Sequence, residues 1–214
     1  MSASFIPLSE RDIISDETAL REIYSRPSVP VRDKSIDYID DFARQFIALS
    51  PFLCIGTGDA DGPGDVSPRG GDPGFVHVLD EKHLAIPDRP GNNRLDTLTN
   101  LIRAPAVGLL FLIPGFEETL RINGIASITV RPDLLERFVM GGKKPRSTIV
   151  VRVAEVYLHC SKALKRSKLW DGSRHVERSR LPSWGQMVRN QGRTILPSRL
   201  IDFAIEQDAR KNLY

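Results

Sequence analysis

From Thr119 to Val130 the chain alternates. Leu120, Ile122, Ala126, Ile128 and Val130 are apolar, and Thr119, Arg121, Asn123, Ser127 and Thr129 are polar. Strand side chains point alternately to opposite faces, so a period of two predicts a long strand with one face on a core. Gly124 falls on the apolar face, where a missing side chain admits a bulge or a close backbone contact. Such an arm needs neighbours to cover it, and the sequence supplies them. Residues 107–113, closed by Pro114 and Gly115, read as a buried partner strand, and residues 149–158 as another long one. Residues 51–57 read as the first strand, residues 58–62 as a turn, and residues 65–69 as the returning second strand. Five or six strands with short turns and one central helix predict an antiparallel barrel rather than a parallel sheet. The expected fold class is mainly β with flanking helices (α+β).

The flanks read as helical. Residues 8–26 carry Ser15 as a cap, Asp16 and Glu17 in a first turn, and Leu20, Ile23 and Tyr24 on an apolar side. Pro27 and Pro30 then predict an extended connection. A second helix over 35–49 would place Ile36, Ile39, Phe42, Phe46 and Leu49 on one face. After Cys160, Ser161 caps a short basic helix through Lys168, a loop follows, and a last helix over 198–212 has Leu200, Ile201, Ala204 and Ile205 as its inner side. Three regions result: an N-terminal helical segment (1–50) packed on the barrel, the barrel core (51–160), and a C-terminal basic helix, loop and terminal helix (161–214).

Composition narrows the class. With 41% apolar and 27% charged residues the chain reads as a soluble globular protein, and its net charge of +3 is too small to argue for nucleic acid. Residues 1–7 lack the pattern of a secretory signal, and no apolar run approaches membrane-spanning length, so no membrane partner and a cytoplasmic location are expected. Cys54 and Cys160 read as two buried thiols rather than a disulfide. His77, His83, His159 and His175 show no metal-ligand spacing, and none of the acyl-hydrolase, P-loop or dinucleotide motifs occurs.

Three arginine-bearing segments punctuate this strand-forming sequence, at 65–74, 83–94 and 118–124. In the middle one, Pro90 and Gly91 turn the chain, Asn92 or Asn93 can cap, and Leu95, Leu98, Leu101 and Ile102 follow at helical spacing. Free N–H groups beside Arg94 suit a phosphate, although an ordinary cap with a surface arginine explains the same residues. Ser67, Pro68, Arg69, Gly70 and Gly71 offer a hydroxyl, a guanidinium and open amides that suit a heteroaromatic ring; a tight hairpin accounts for them equally well. Arg121 and Asn123 read as a solvated strand face. The basic run 162–180 reads first as a solvated surface, second as part of a subunit contact; its one aromatic, Trp170, is too few for a single-strand nucleic-acid binder.

Taken together, five segments resemble the pyridoxamine 5′-phosphate oxidase-like family of FMN-binding split barrels, nearest its bacterial branch of FMN-dependent enzymes. They are residues 50–52, 66–70, 86–94, 120–124 and 159–164, in that order and spacing. The resemblance implies an antiparallel FMN-binding split β-barrel and a homodimer with FMN in the clefts between subunits. By position, Ser67, Pro68, Arg69 and Gly70 would lie along the flavin ring. Asn93 and Arg94, with Arg89, would hold the phosphate, and Ile86, Pro87, Asp88 and Asn92 would also belong to the cofactor-binding set. Residues from Lys162 to Trp170 of the other subunit would close the cleft. Two departures stand out: Asn93 and Arg94 occupy the place of the family's arginine-lysine pair, and Thr119 stands near the place of a glutamine beside the flavin. The family's C-terminal substrate pattern is not recognisable, so oxidation of pyridoxamine phosphate itself is not expected. The implied function is an FMN-dependent oxidoreductase acting on a small molecule. A flavin-binding sensor, store or carrier without turnover is the alternative, and deazaflavin or haem, used by related split barrels, stays open. A nucleic-acid-binding module using residues 162–180 ranks well behind.

Overall fold

A computed structural model describes residues 8–59, 62–192 and 194–211. The expected turn at 58–62, the first seven residues and the end of the last helix at 212 therefore lie partly or wholly outside the described residues. The chain divides after Ser35 into two compact units, Met1–Ser35 and Ile36–Tyr214.

In the first unit the continuous helix expected over 8–26 is broken. A 3-10 turn at Glu10–Asp12, boxed by Ser9 and Asp12, ends in extended backbone at Ile13, and α1 (Glu17–Ile23) starts afresh. Its cap is Asp16, not Ser15: the Asp16 carboxylate accepts the Ala19 N–H at 2.9 Å. Nor is the following connection fully extended. Helix α2 (Val29–Asp33) takes Pro30 into its first turn, where a missing N–H leaves no bond unmade.

The second unit opens with Ile36 bridged to Val156 in extended backbone. Asp40 then caps α3 (Asp41–Leu49) by accepting the Ala43 N–H at 2.8 Å. Because the helix starts six residues later than expected, its inner side changes. Ala43 and Ile47 are buried and Phe46 partly so, while Phe42 and Leu49 face outward, Phe42 being 81% exposed. Asp40→Ala should therefore lower stability by about 1 kcal/mol, the usual worth of an N-cap, read as a shift in the denaturant midpoint at constant slope.

Among the described residues seven strands form one sheet: β1 (Phe52–Thr57), β2 (Asp65–Gly70), β3 (His77–Val78), β4 (His83–Asp88), β5 (Ala106–Leu112), β6 (Thr119–Thr129) and β7 (Ser147–His159). Their order is β2-β1-β5-β6-β7-β4-β3, and every neighbouring pair is antiparallel. This curled antiparallel sheet with flanking helices is a split β-barrel. The alternation of β6 holds: Leu120, Ile122 and Ala126 are buried in the core with Phe111, Leu53, Leu84, Ile149 and Val151. Val130 departs from it, lying past the strand end and 68% exposed, because the Thr129 hydroxyl accepts the Arg131 N–H and Pro132 opens α5 (Pro132–Glu136). Gly124 sits at a register shift against β7, and a Cβ there would lie 2.4 Å from the Arg152 carbonyl oxygen. Both bulge and close contact are present.

After β7 the thiol of Cys160 is exposed and Cys54 is half-buried, correcting the expectation of two buried thiols. Helix α6 (Lys162–Ser167) forms where expected, though the Ser161 side chain makes no cap bond. The expected loop contains a further helix, α7 (Trp184–Gln191), opened by a capping box of Ser183 and Gln186. The last helix, α8 (Ser198–Lys211), buries none of its residues, and Leu200 is 58% exposed. Asp202 is what faces α7, its carboxylate accepting from the Ser183 hydroxyl at 2.7 Å and the Gly185 N–H at 2.6 Å. Of the apolar side expected, Ile201 alone is half-buried, and the hydrogen bonds joining the two helices run through Asp202. Among the described residues no helix is long and apolar enough to cross a membrane.

Candidate functional site

The sheet order leaves β2 at one edge and β4, with short β3, at the other. The curl brings these edges together, close enough for Arg69 of β2 to act electrostatically on Asp88 of β4. At this seam lies a cavity of about 490 Å³, within the span of about 300–1,000 Å³ usual for small-molecule sites. Ser67, Pro68, Arg69 and Gly70 wall one side, and Pro87, Asp88 and Arg89 the other. Residues 90–98, the connection into and first turn of α4 (Asp96–Arg103), close the end.

Ten of the residues marked by sequence thus share one cavity: Ser67, Pro68, Arg69, Gly70, Pro87, Asp88, Arg89, Asn92, Asn93 and Arg94. Ile86 does not join them. It is fully buried in the core, in a run of buried residues, and of β4 only Pro87 and Asp88 reach the cavity. Lys162 and Trp170 lie elsewhere on the same chain: the Trp170 indole N–H donates to the Phe116 carbonyl at 2.6 Å, and neighbouring Lys165 pairs with Glu117 at 3.2 Å. Phe75, Leu95, Asp96, Thr97, Leu98 and Arg146 also line the cavity, and sequence reasoning did not mark them for it.

Local bonding holds the walls in place. The Asp65 carboxylate accepts from the Ser67 hydroxyl at 2.9 Å and the Thr97 hydroxyl at 3.3 Å, tying β2 to α4. Below them the buried Asn100 amide donates to the Thr57 hydroxyl at 3.1 Å. Arg89 donates to the Phe138 carbonyl at 2.7 Å, and the Phe138 ring is stacked on His77 with 4.2 Å between centroids. Helix α4 starts differently from expectation. Its cap position is Leu95 in left-handed backbone, φ 60°, with no side-chain bond, and Asn93 is left-handed too, φ 56°. Asn92 instead accepts the Arg94 N–H at 3.1 Å, shaping the turn before the helix. The first turn of α4 therefore meets the cavity uncapped by any side chain.

Four arginines (Arg69, Arg89, Arg94, Arg146) face two aspartates (Asp88, Asp96) around this space. Arg94 donates to Asp96 at 2.8 Å, which holds its guanidinium more firmly protonated. Burial pushes the Asp88 carboxyl up, against the pull of Arg69 and Arg146. The folded chain thus holds this proton more tightly than the unfolded one. Ionised Asp88 costs stability above its ordinary range, and acidification removes that cost. The surplus of arginine, the uncapped helix start and the hydroxyl-lined wall suit an anionic ligand with a polar ring. Among the described residues no group of His, Cys, Asp and Glu side chains could hold a metal ion.

A split barrel with an anion-favouring cavity at its seam is a recognisable class of protein. The family model for pyridoxamine 5′-phosphate oxidase matches residues 39–160, more than half of the sequence, and the chain belongs to that family. No curated protein sequence matches it. Among solved structures it is similar to HupZ of Group A Streptococcus, with 17% identity over 56% of this chain and 93% of that one and a TM-score of 0.46. A Clostridium acetobutylicum protein related to general stress protein 26, of the pyridoxinephosphate oxidase family, matches at 14% identity over 55% and 87%, TM-score 0.39. HutZ, the heme storage protein from Vibrio cholerae, matches at 16% over 54% and 89%, TM-score 0.36. At this distance none of the three transfers a ligand or an activity to this chain.

Proposed function

We propose that the protein is an FMN-dependent oxidoreductase acting on a small molecule, as a homodimer. One observation carries the reading: the two segments marked independently for a ring and for a phosphate, 67–70 and 92–94, wall a single cavity. Its surplus of arginines favours a ligand that is anionic at one end. Bound there, the flavin would supply hydride acceptance at its N5. The chain's own residues would bind and orient it. Arg94 and the uncapped start of α4 favour the phosphate end. Arg69, held by its own donation to the Pro68 carbonyl at 2.9 Å, sets a positive charge along the ring wall. Ser67, fixed by Asp65, presents its oxygen beside it.

Arg94→Ala should weaken FMN at least about tenfold, the worth of a hydrogen bond to a charged group, and leave the fold intact, since its side chain is 73% exposed. Flavin fluorescence titration measures this, and an unchanged affinity would remove the phosphate assignment. A flavin carrier without turnover is distinguished by rapid mixing with NADH or NADPH. Reduction within the turnover time of an ordinary enzyme supports the oxidoreductase; failure with both donors favours the carrier.

A further inference from the structure

We infer that Arg146, supplied by the connection from α5 into β7, is the contact that makes this cavity prefer a flavin bearing a terminal phosphate over the same flavin without one. The inference rests on the flavin reading above and adds a residue to it from a part of the chain that reading does not use. Ser147 pairs with Asp88 at the end of the β4–β7 ladder, so Arg146 stands one residue beyond the ladder, at the cavity wall. Pro145 and Ser147 on either side are buried while Arg146 itself is exposed. Its backbone is therefore fixed and its side chain is launched into open space from a defined point.

The other three arginines of the cavity each spend a donor on a short internal contact. Arg69 donates to Pro68, Arg89 to Phe138 and Arg94 to Asp96, at 2.9, 2.7 and 2.8 Å. Arg146 also donates, but over a longer 3.4 Å, to the side-chain oxygen of Asn93, the residue just before Arg94. Its guanidinium thus reaches the turn that leads into the uncapped start of α4. Five N–H donors on a planar fork match phosphate oxygens two at a time and add a full positive charge to what a helix terminus offers. Asp88 is a carboxylate on which both Arg146 and Arg69 act, so two guanidinium groups face a single carboxylate there. The phosphate end of the cavity would then be gripped from two sides, by Arg94 from the turn before α4 and by Arg146 from the residue just before β7.

The test is a pair of equilibrium titrations, FMN and riboflavin, on the wild-type chain, Arg146→Ala and Arg146→Lys, with circular dichroism melting curves to establish that all three fold. Arg146→Ala should bind FMN about tenfold or more weakly with riboflavin unchanged. Arg146→Lys should recover part of the loss, because it keeps the charge without the fork. A general packing role would lower both affinities together, and that result, or no change in either, overturns the inference while leaving the flavin reading standing. A wild-type chain that binds neither flavin overturns both.

Discussion

Replacing Gly124 by valine will cost the protein about 3 kcal/mol or more, the upper end of what overpacking does in a closed core. The cause is local. Even the first added carbon would stand 2.4 Å from the Arg152 carbonyl oxygen and 2.9 Å from a methyl of Val151. The nearer obstacle is backbone, which cannot swing aside as a side chain can. It is also backbone at the register shift between the two longest strands, β6 and β7, so relief by movement would disturb their ladder. Denaturant unfolding should show the loss as a lowered midpoint. A valine variant as stable as wild type would mean that β6 and β7 do not approach in this way.

Phe111→Ala will be at least as damaging, about 3–5 kcal/mol for loss of a buried aromatic with little room to collapse. Phe111 is fully buried in β5, paired with Leu53 on β1 and Leu120 on β6, so its ring joins three strands of the sheet to the core. Against a total stability of about 5–15 kcal/mol, that loss is a large fraction of what holds the fold. Phe42→Ala makes the control: an equally large ring, but 81% exposed, whose removal should shift stability by less than about 0.5 kcal/mol. The contrast separates core from surface aromatics, which the apolar stripe read along 35–49 did not do.

What the sequence made legible follows from the range of the forces involved. Strand β6 is readable because a period of two needs only neighbours along the chain, and the turn residues around Arg69 and Arg94 mark the ends of strands in the same local way. Helix α3 differs from the expectation because the position of a cap decides which residues face inward, and Asp40 starts the helix after Ile36 and Ile39 have already packed on the core by other means. Helix α7 was missed although Ser183 and Gln186 spell a capping box, for want of a strong apolar stripe behind them. Arg146 was invisible for a different reason. Its place beside Asp88 depends on β4 pairing with β7 across about sixty residues of chain, and no local pattern encodes a register of that kind. The seam that joins Arg69 to Asp88 is no more local in origin, arising only once the strands between these two edges have curled.

A flavin in the cavity between β2 and β4, as proposed, is tested most directly by an absorbance spectrum of the purified protein. The spectrum is taken as isolated, then again after adding FMN and desalting. Retained flavin bands after desalting, lost in Arg94→Ala, are the predicted result. A colourless protein that releases all the added FMN would contradict the account.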